Sequence, residues 1–305
     1  MGPTATGKSD LAIRLTEKFD AEIISVDSAM VYKGMDIGTA KPSLDILQSV
    51  PHHLIDICDP LETYSAARFQ HDANQLIENI LNKNKIPILV GGTGLYFRAL
   101  EQGLAELPDA NYRIRNQLEQ DAKEVGWPAM HERLKQIDRE SAKRIDANDP
   151  QRIQRALEVY EITGSTMSAL LAAGRAKAIT YPVTKILLMP VDRAKLHEQI
   201  KQRFHAMLDN GLVNEVELLY QRGDLSLTMP SMRLVGYRQV WRYLEGESDY
   251  DSMIEHGIVA TRQLAKRQIT WFRGENVAKC YDPLENNLFE LVCSTIESSA
   301  NVDQM

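Results

Sequence analysis

Residues 2–9 read Gly2-Pro3-Thr4-Ala5-Thr6-Gly7-Lys8-Ser9 and match the phosphate-binding loop pattern G-x-x-x-x-G-K-[ST] at every fixed position. In such a loop the glycines let backbone N–H groups point at a phosphate, the lysine supplies positive charge, and the hydroxyl suits Mg²⁺. Residues 10–15 continue as a helical pattern, so a helix N-terminus would face the same anion. A glycine-rich turn without a ligand is the alternative. The stretch predicts a phosphate-binding site at the start of a helix.

Short apolar runs alternate with helical patterns through the N-terminal part of the chain. The sequence predicts strands at 21–26, 53–57 and 86–90, and helices at 8–19 and 65–81. Further strands are predicted at 185–189 and 277–281. Strand–helix–strand alternation is typical of a parallel sheet with crossover helices. With the phosphate loop, it predicts a P-loop NTPase-like α/β fold.

The strand signal disappears between residues 108 and 180. Charged helical patterns occupy 111–125, 127–137, 139–146 and 150–163 instead. We therefore expect an all-helical insertion domain at 108–180 within an α/β core formed by 1–107 and 181–305. The C-terminal part of that core has helical patterns at 193–208, 212–222, 231–244, 250–273 and 284–298.

One element of the expected fold is missing from the sequence. A phosphate loop normally follows a buried, central strand, but only Met1 precedes Gly2. We expect either that the sequence begins late, at an internal methionine, or that a partner or another segment fills the place of this first core strand.

Composition narrows the class of protein. With 44% hydrophobic and 25% charged residues, the chain has the composition of an ordinary soluble globular protein. The formal net charge of −7 argues against nonspecific basic binding but leaves local positive patches open. Cys58, Cys280 and Cys293 are far apart, so neither a zinc finger nor a disulfide framework is expected, and the reducing cytoplasm is the default location. No apolar run is long enough for a membrane span.

Two positions after predicted strands could carry chemistry. Asp27 follows the strand at 21–26, where a carboxylate could accept a proton or bind Mg²⁺ through water; a loop-capping role is the alternative. The sequence Gly91-Gly92-Thr93-Gly94 follows the strand at 86–90 and combines close backbone approach with a hydroxyl, although a plain helix cap would look the same. Lys33, Lys41 and Arg98 flank this region and are either phosphate contacts or solvated charges.

Two C-terminal stretches are positive within this acidic chain. Residues 231–242 contain three arginines and 261–273 contain four basic residues, and neither stretch has an acidic residue. Basic residues mixed with Gln, Thr and aromatic residues suit RNA backbone contact and base stacking. A solvated helix face is the alternative. Residues 151–155 have a similar but weaker pattern.

Together these stretches resemble the bacterial tRNA dimethylallyltransferase (isopentenyl-tRNA transferase) family. The matching segments are 2–9, 25–29, 32–42, 90–96, 148–152, 235–239 and 261–271, in the order typical of the family. The chain differs in its missing first strand and in Gly94, where many relatives have a larger residue. It has Ser9 where Thr is also common, and it lacks the C-terminal zinc finger of eukaryotic relatives.

The resemblance implies that the loop holds the diphosphate of dimethylallyl diphosphate, with Mg²⁺ on Ser9. It implies transfer of the dimethylallyl group to N6 of the adenine on the 3′ side of the anticodon, flipped into the protein. Lys8, Asp27 and Thr93 would be catalytic, with Asp27 as the base, and Arg203 is a further candidate for the diphosphate site. The implied tRNA contacts are Asp27, Ser28, Ala29, Met30, Thr93, Gln151, Arg152, Ile153, Gln154, Arg155, Arg233, Leu234, Val235, Gly236, Tyr237, Arg238, Lys266, Arg267, Gln268, Ile269, Thr270, Trp271, Phe272 and Arg273.

On this hypothesis the partners are the tRNA anticodon stem-loop, held by the insertion domain, and dimethylallyl diphosphate, and the chain acts as a monomer away from membranes. Three alternatives remain. A P-loop small-molecule kinase would use the loop for ATP, but leaves the insertion and the basic stretches unexplained. An adenylate isopentenyltransferase would need no domain to hold an anticodon. A non-enzymatic RNA-binding module would not need Lys8, Ser9 and Asp27 together.

Overall fold

The computed structural model describes residues 1–174, 178–275 and 279–302. Its helices and strands, numbered along the chain, are α1 (Lys8–Lys18), β1 (Ala21–Val26), α2 (Leu44–Ser49), β2 (His52–His53), α3 (Ala66–Asn82), β3 (Ile86–Gly91), α4 (Gly94–Gln102), α5 (Tyr112–Val125), α6 (Trp127–Ile137), α7 (Arg139–Arg144), α8 (Pro150–Thr163), α9 (Met167–Ala173), β4 (Ile186–Leu188), α10 (Arg193–Asp209), α11 (Leu212–Gln221), α12 (Tyr237–Leu244), α13 (Tyr250–Arg273), β5 (Lys279–Tyr281) and α14 (Leu288–Val302).

The chain divides into two compact units. The first comprises Met1–Leu100 and Thr180–Met305, and the second comprises Glu101–Ile179. None of the helices within the described ranges combines the length and the hydropathy that crossing a bilayer requires.

The first unit contains a small parallel sheet in the order β2-β1-β3. β1 pairs with β3 along its whole length, from Ala21 opposite Ile86 to Val26 opposite Gly91. All six residues of β1 are buried, as expected of a central parallel strand covered on both faces. Helix α3, which starts at a Ser65 cap, packs on β1 and β3 as a crossover helix. The predicted mixed α/β fold with a parallel sheet is confirmed.

A second, two-stranded parallel sheet in this unit pairs β4 with β5. The first two residues of the strand predicted at 277–281, Val277 and Ala278, lie outside the described residues. Met1 contacts β4: its ammonium group donates to the Ile186 carbonyl at 2.8 Å, and the Leu188 N–H donates to the Met1 carbonyl at 2.9 Å. The phosphate-loop segment therefore starts beside β4.

Two predicted elements are shorter than the sequence suggested. β2 covers only His52 and His53, because Leu54 and Asp56 both adopt a left-handed backbone, with φ of 63° and 55°. The carboxylate of Asp56 there accepts a hydrogen bond from Lys41 at 2.5 Å, so the apparent alternation at 53–57 reflects a turn rather than a strand. The helix predicted at 231–244 begins only at 237, where the Gln239 side chain accepts the Gly236 N–H.

Helices are the regular secondary structure of the second unit among its described residues, and the unit has its own core. Leu118, Met130, Leu134, Ile153 and Leu157 pack together between α5, α6 and α8. Helix α8 covers the predicted 150–163; its first turn contains Pro150, its N-cap is Asp149 and its C-cap is Gly164.

An ionic cluster ties α5 to α8 in the second unit. Glu158 is fully buried and accepts hydrogen bonds from Arg115 at 2.9 and 3.1 Å and from Arg155 at 2.7 Å. Burial alone would raise the pKa of Glu158, but these bonds outweigh it and hold the pKa below its ordinary value. The carboxylate is therefore charged and fully engaged in joining the two helices.

Candidate functional site

A cavity of about 440 Å³ lies in the first unit, where the predicted site segments meet. It is lined by the 2–9 loop and the start of α1, by the segments after β1 and β3, by residues 38–42, by α10, by 233–237 and by α13. The loops at the carboxyl ends of parallel strands are the usual place for a ligand in such a sheet. From the 2–9 loop, Thr4, Ala5, Lys8 and Ser9 reach the cavity wall.

The 2–9 loop is closed by contacts within itself. The Thr6 hydroxyl donates to the Pro3 carbonyl at 2.9 Å, and the Lys8 ammonium group donates to the same carbonyl. Ala5 has a left-handed backbone with φ of 61°, an uncommon conformation for a residue with a side chain. The Gly7 carbonyl accepts the first helical bond of α1 from Leu11. The N-terminus of α1 and its unpaired N–H groups thus start at the cavity wall, as an anion site requires.

Lys8 carries its charge in a poorly solvated position. Burial, partly offset by the carboxylate of Asp27 and reinforced by the nearby Arg203, lowers the pKa of Lys8 from 10.5 to about 8. A lowered pKa means that the ammonium form lacks sufficient compensation in this structure. An anion in the cavity would supply that compensation.

Asp27 and Thr93 stand at the ends of neighbouring strands and are linked through Ser28. The Ser28 N–H donates to the Thr93 hydroxyl oxygen at 3.1 Å, and Asp27 accepts the Ala29 N–H at 2.8 Å. Both predicted catalytic side chains line the cavity together with Ser28, Ala29 and Met30. One carboxylate oxygen of Asp27 accepts a hydrogen bond from the backbone of its own loop, as the capping alternative requires. The same carboxylate also lines the cavity.

Arg203 approaches the cavity from α10, far along the chain from the loop. Burial lowers the pKa of Arg203, while Asp27 and Asp10 act in the opposite direction. The guanidinium group stays charged at any physiological pH, because its ordinary pKa lies above 12. Two cationic side chains, Lys8 and Arg203, therefore meet the carboxylate of Asp27 around one cavity.

Gln268 on α13 joins the two site loops. Its side-chain carbonyl accepts the Thr4 N–H at 2.8 Å, and its amide group donates to the Gly92 carbonyl at 3.0 Å. A Cβ on Gly92 would lie 2.3 Å from the Gln268 amide, and one on Gly94 would lie 2.2 Å from the Trp271 ring nitrogen. The glycines after β3 therefore make room for α13, and Gly94 in particular accommodates the Trp271 side chain.

Only some of the other predicted site residues line the cavity. Gly2, Pro3, Thr6 and Gly7 shape the loop without lining the cavity, whereas Arg233, Leu234, Val235, Gly236, Tyr237, Arg267 and Gln268 line it. Lys266, Thr270 and Arg273 are on the exposed face of α13. Gln151 and Arg152 are exposed on α8 of the second unit, while Gln154 and Arg155 bond to residues of that unit.

Three side chains predicted to contact tRNA belong instead to cores. Ile153 has no exposed surface, and Ile269 and Phe272 are 5% and 1% exposed. Apolar side chains at helical spacing pack inward because burying them stabilises the fold. These three side chains therefore have a packing role instead of the predicted tRNA contact.

The flanking cations also have structural partners. The Lys41 side chain is only 3% exposed and donates to the Tyr32 carbonyl and to Asp36 and Asp56. The Arg98 guanidinium lies 4.1 Å from the centre of the Trp271 ring. Lys41 is therefore not the solvated charge that the sequence allowed, whereas the Arg98 side chain is 45% exposed and lies 3.5 Å from Glu275.

Several cavity residues gave no signal in the sequence. Ile55, Ile200, Phe204, Met207 and Leu264 form apolar parts of the wall. They occupy ordinary apolar positions of helices and loops, so only the folded structure distinguishes them from core residues. The cavity therefore joins an apolar wall to a cationic, loop-lined wall, which suits a ligand with both a hydrocarbon and a phosphate part.

The cavity offers few oxygen donors to a metal ion such as Mg²⁺. Among the described residues no group of three His, Cys, Asp or Glu side chains could hold a metal ion. The Ser9 hydroxyl and the Asp27 carboxylate nevertheless both face the cavity. Mg²⁺ is commonly held by one or two protein oxygens together with substrate phosphates and water. The donor set fits Mg²⁺ that arrives with a phosphate ligand.

Comparison with known proteins places this chain in a family. The family model described as IPP transferase matches residues 30–275. A tRNA dimethylallyltransferase from Ralstonia pickettii is 52% identical over 310 residues, covering 98% of this chain and 95% of that protein. Another from Thioalkalivibrio sulfidiphilus is 55% identical over 273 residues, covering 90% of this chain and 85% of that protein.

Solved structures agree. A tRNA isopentenylpyrophosphate transferase from Bacillus halodurans is 34% identical, with 100% of this chain and 97% of that chain covered and a TM-score of 0.70. A eukaryotic dimethylallyltransferase acting on tRNA is 28% identical, with 89% of this chain and 68% of that chain covered and a TM-score of 0.74. The family predicted from the motifs is thus confirmed: the chain belongs to the IPP transferase family.

Proposed function

We propose that this chain is a prenyltransferase that moves a dimethylallyl group from dimethylallyl diphosphate to a tRNA. The observation that carries the proposal is the cavity in which Lys8, Arg203 and Asp27 face an apolar wall, in a chain whose relatives are named for this reaction. The acceptor is N6 of the adenine on the 3′ side of the anticodon. That adenine has to leave its stack, because a stacked base cannot present N6 to a buried allylic carbon.

The cationic wall serves the leaving group. As the bond between the allylic carbon and oxygen breaks, the electron pair leaves with the diphosphate, whose growing charge needs stabilisation. Lys8, Arg203 and the N–H groups at the start of α1 supply it. Mg²⁺, when bound through Ser9, would neutralise further charge on the diphosphate.

Asp27 serves the acceptor. A bond forms between N6 and the allylic carbon while the N6 proton passes to the Asp27 carboxylate, which lies at the cavity edge beside the segment 28–30. Thr93, held in place by Ser28, helps to hold the adenine. The apolar residues of the wall exclude water, which would otherwise compete with N6 for the allylic group.

Exposed cations would hold the tRNA. Lys266, Arg267 and Arg273 are exposed on α13, and Arg233 is exposed beside the cavity. We propose that these residues contact the tRNA backbone, and that the second unit binds the anticodon stem-loop through positions that include Arg152. We further propose that the chain works as a monomer in the cytoplasm.

Two other enzyme classes would use the same loop. A P-loop kinase would transfer phosphate from ATP, and an adenylate isopentenyltransferase would prenylate free AMP. One experiment distinguishes all three: dimethylallyl diphosphate labelled in the allyl group is incubated with Mg²⁺ and with tRNA, AMP or ATP. We expect the label in tRNA alone. Label in AMP with none in tRNA would refute the proposal.

Asp27→Asn tests the role of the base. An asparagine oxygen can still accept the Ala29 N–H, so the loop should keep its shape. We expect turnover to fall about 100-fold or more, in the range that general bases contribute, with tRNA affinity unchanged. Full activity in this variant would remove Asp27 as the base.

A further inference from the structure

Glu215 on α11 has four hydrogen-bond donors around one carboxylate. One oxygen accepts the N–H groups of Asp36 and Ile37 at 2.8 and 2.7 Å. The other accepts the Gly38 N–H at 3.1 Å and the Tyr237 hydroxyl at 2.5 Å. A carboxylate has about four acceptor positions, so Glu215 is saturated by these contacts. Three of them come from consecutive residues of one loop.

The 36–38 loop depends on this carboxylate for its backbone bonding. Residues 36–38 belong to no helix or strand, so their N–H groups have no partner in regular secondary structure. Hydrogen bonds to a charged acceptor are about twice as strong as those between neutral groups. Glu215 therefore fixes the backbone of the 36–38 loop from a helix that is remote in the sequence.

The same carboxylate fixes Tyr237 against that loop. A Cβ on Gly38 would lie 2.5 Å from the Tyr237 ring, so the ring rests directly on the Gly38 backbone. Tyr237 has no exposed surface, and burial together with the charge of Glu215 raises the pKa of Tyr237 and keeps its hydroxyl a donor. Gly38 and Tyr237 both line the cavity, whereas Glu215 is not among the described residues that line it.

We propose that Glu215 is a positioning residue for the transfer reaction: it holds the 36–38 loop and the Tyr237 ring together as one wall of the cavity, without contacting either substrate. The inference rests on the proposed function of that cavity. A wall fixed in this way restricts where the allylic carbon and the acceptor base can lie, and small displacements of reacting groups cost much of the rate. Loss of Glu215 should therefore lower kcat more than it raises KM.

Glu215→Gln tests the proposal, because the amide has nearly the same size but presents N–H groups to donors on one side. Glu217→Gln, exposed on the same helix, is the matched control. We expect kcat to fall about tenfold or more in Glu215→Gln, as expected when two hydrogen bonds are lost, with KM changed less than threefold. Amide hydrogen exchange at 36–38 should accelerate, while exchange in the sheet core at 21–26 stays near that of the control, because the lost bonds are local to the loop. A Tyr237→Phe variant keeps the ring and three of the four bonds and should lose less activity.

The outcomes separate a positioning role from a structural one. Wild-type kcat in Glu215→Gln would overturn the inference, as would a low kcat with unchanged exchange at 36–38. If Glu215→Gln does not fold, Gly38→Ala provides a second test, because the added Cβ displaces the Tyr237 ring from the other side. This variant should show the same drop in kcat. A Gly38→Ala variant with wild-type kcat would then overturn the inference. A wild-type chain that transfers nothing to tRNA would instead refute the proposed function.

Discussion

The lowered pKa of Lys8 predicts how the affinity for dimethylallyl diphosphate depends on pH. In the free protein the pKa of Lys8 falls from 10.5 to about 8, mainly through burial. One pKa unit corresponds to about 1.4 kcal/mol, so the charged form costs about 3 kcal/mol more here than in water. A bound diphosphate reverses this cost, because it pairs with the ammonium group.

The size of the effect follows from the fraction of Lys8 that is protonated. If only the charged form binds the diphosphate, the apparent Kd rises in inverse proportion to that fraction. With a pKa of about 8, about nine-tenths of the side chains are charged at pH 7 and only about one in thirty at pH 9.5. The Kd should therefore rise about 30-fold across this range.

Isothermal titration with dimethylallyl diphosphate, without tRNA and at constant ionic strength, measures this slope. The terminal phosphate of the ligand titrates with a pKa of about 6, so the ligand is mostly ionised at pH 7 and its remaining titration is common to the wild type and to any variant. Lys8→Arg is the matched control, because a guanidinium group stays charged throughout. We expect a steep rise of Kd for the wild type and a flat profile for Lys8→Arg. A flat wild-type profile, or an equal slope in Lys8→Arg, would refute the assignment of the anion site to Lys8.

Three further variants test the surrounding structure. Lys8→Met should raise the free energy of unfolding at pH 7 by up to about 3 kcal/mol, because the pKa of Lys8 is lower in the folded state than in the unfolded state. The penalty for burying the charged lysine is full below about pH 8 and disappears as the pH rises through 10.5. Urea unfolding at pH 7 and at pH 10.5 should therefore show a smaller gain at the higher pH. Gln268→Ala removes two hydrogen bonds of about 1 kcal/mol each and should lower kcat/KM about 30-fold. Gln263 is exposed on the same helix, so Gln263→Ala should leave kcat/KM nearly unchanged. Equal effects of the two variants would contradict a specific role of Gln268 as a bridge. Glu158→Gln should destabilise the second unit by about 2 kcal/mol in urea unfolding. Glu161 is an exposed ion-pair partner, so Glu161→Gln should cost less than about 1 kcal/mol. A smaller loss at position 158 than at position 161 would show that the buried ion pairs do not stabilise the second unit.

Local patterns in the sequence predicted the elements whose conformation is decided locally. The runs at 21–26 and 86–90 are rich in β-branched and apolar residues, and they form β1 and β3 within a residue of the expected bounds. The strand predicted at 53–57 was wrong beyond His53. Its apolar and polar residues alternate as in a strand, but the left-handed backbone of Leu54 and Asp56 turns the chain. The turn is held by Lys41, whose position beside Asp56 is a result of the fold and has no local signal.

The residues of the candidate site also divide into those that local sequence patterns predicted and those that they did not. Lys8, Ser9, Asp27 and Thr93 could be selected from the sequence because each stands in a motif or directly after a strand. Arg203 came from the family resemblance, since its helix carries no pattern that distinguishes it. Glu215 was missed altogether, because its partners are the backbone groups of a loop far away in the sequence, and a backbone N–H group leaves no trace in the residue pattern.

The bridge formed by Gln268 changes how the glycines of this site are understood. From the sequence, the glycines at 91–94 predicted a close approach of the backbone to another group, and for Gly92 that group is the side-chain amide of Gln268. The carbonyl oxygen of the same side chain accepts the Thr4 N–H, so one residue of α13 sets the position of both the 2–9 loop and the segment before Thr93. Arg267, the neighbour of Gln268, is exposed on the face proposed for tRNA. A displacement of α13 by tRNA would therefore reach the loop proposed to hold the diphosphate through two hydrogen bonds. The phosphate-loop motif alone cannot supply such a connection between two substrates, and in this chain it depends on a residue near the other end of the sequence.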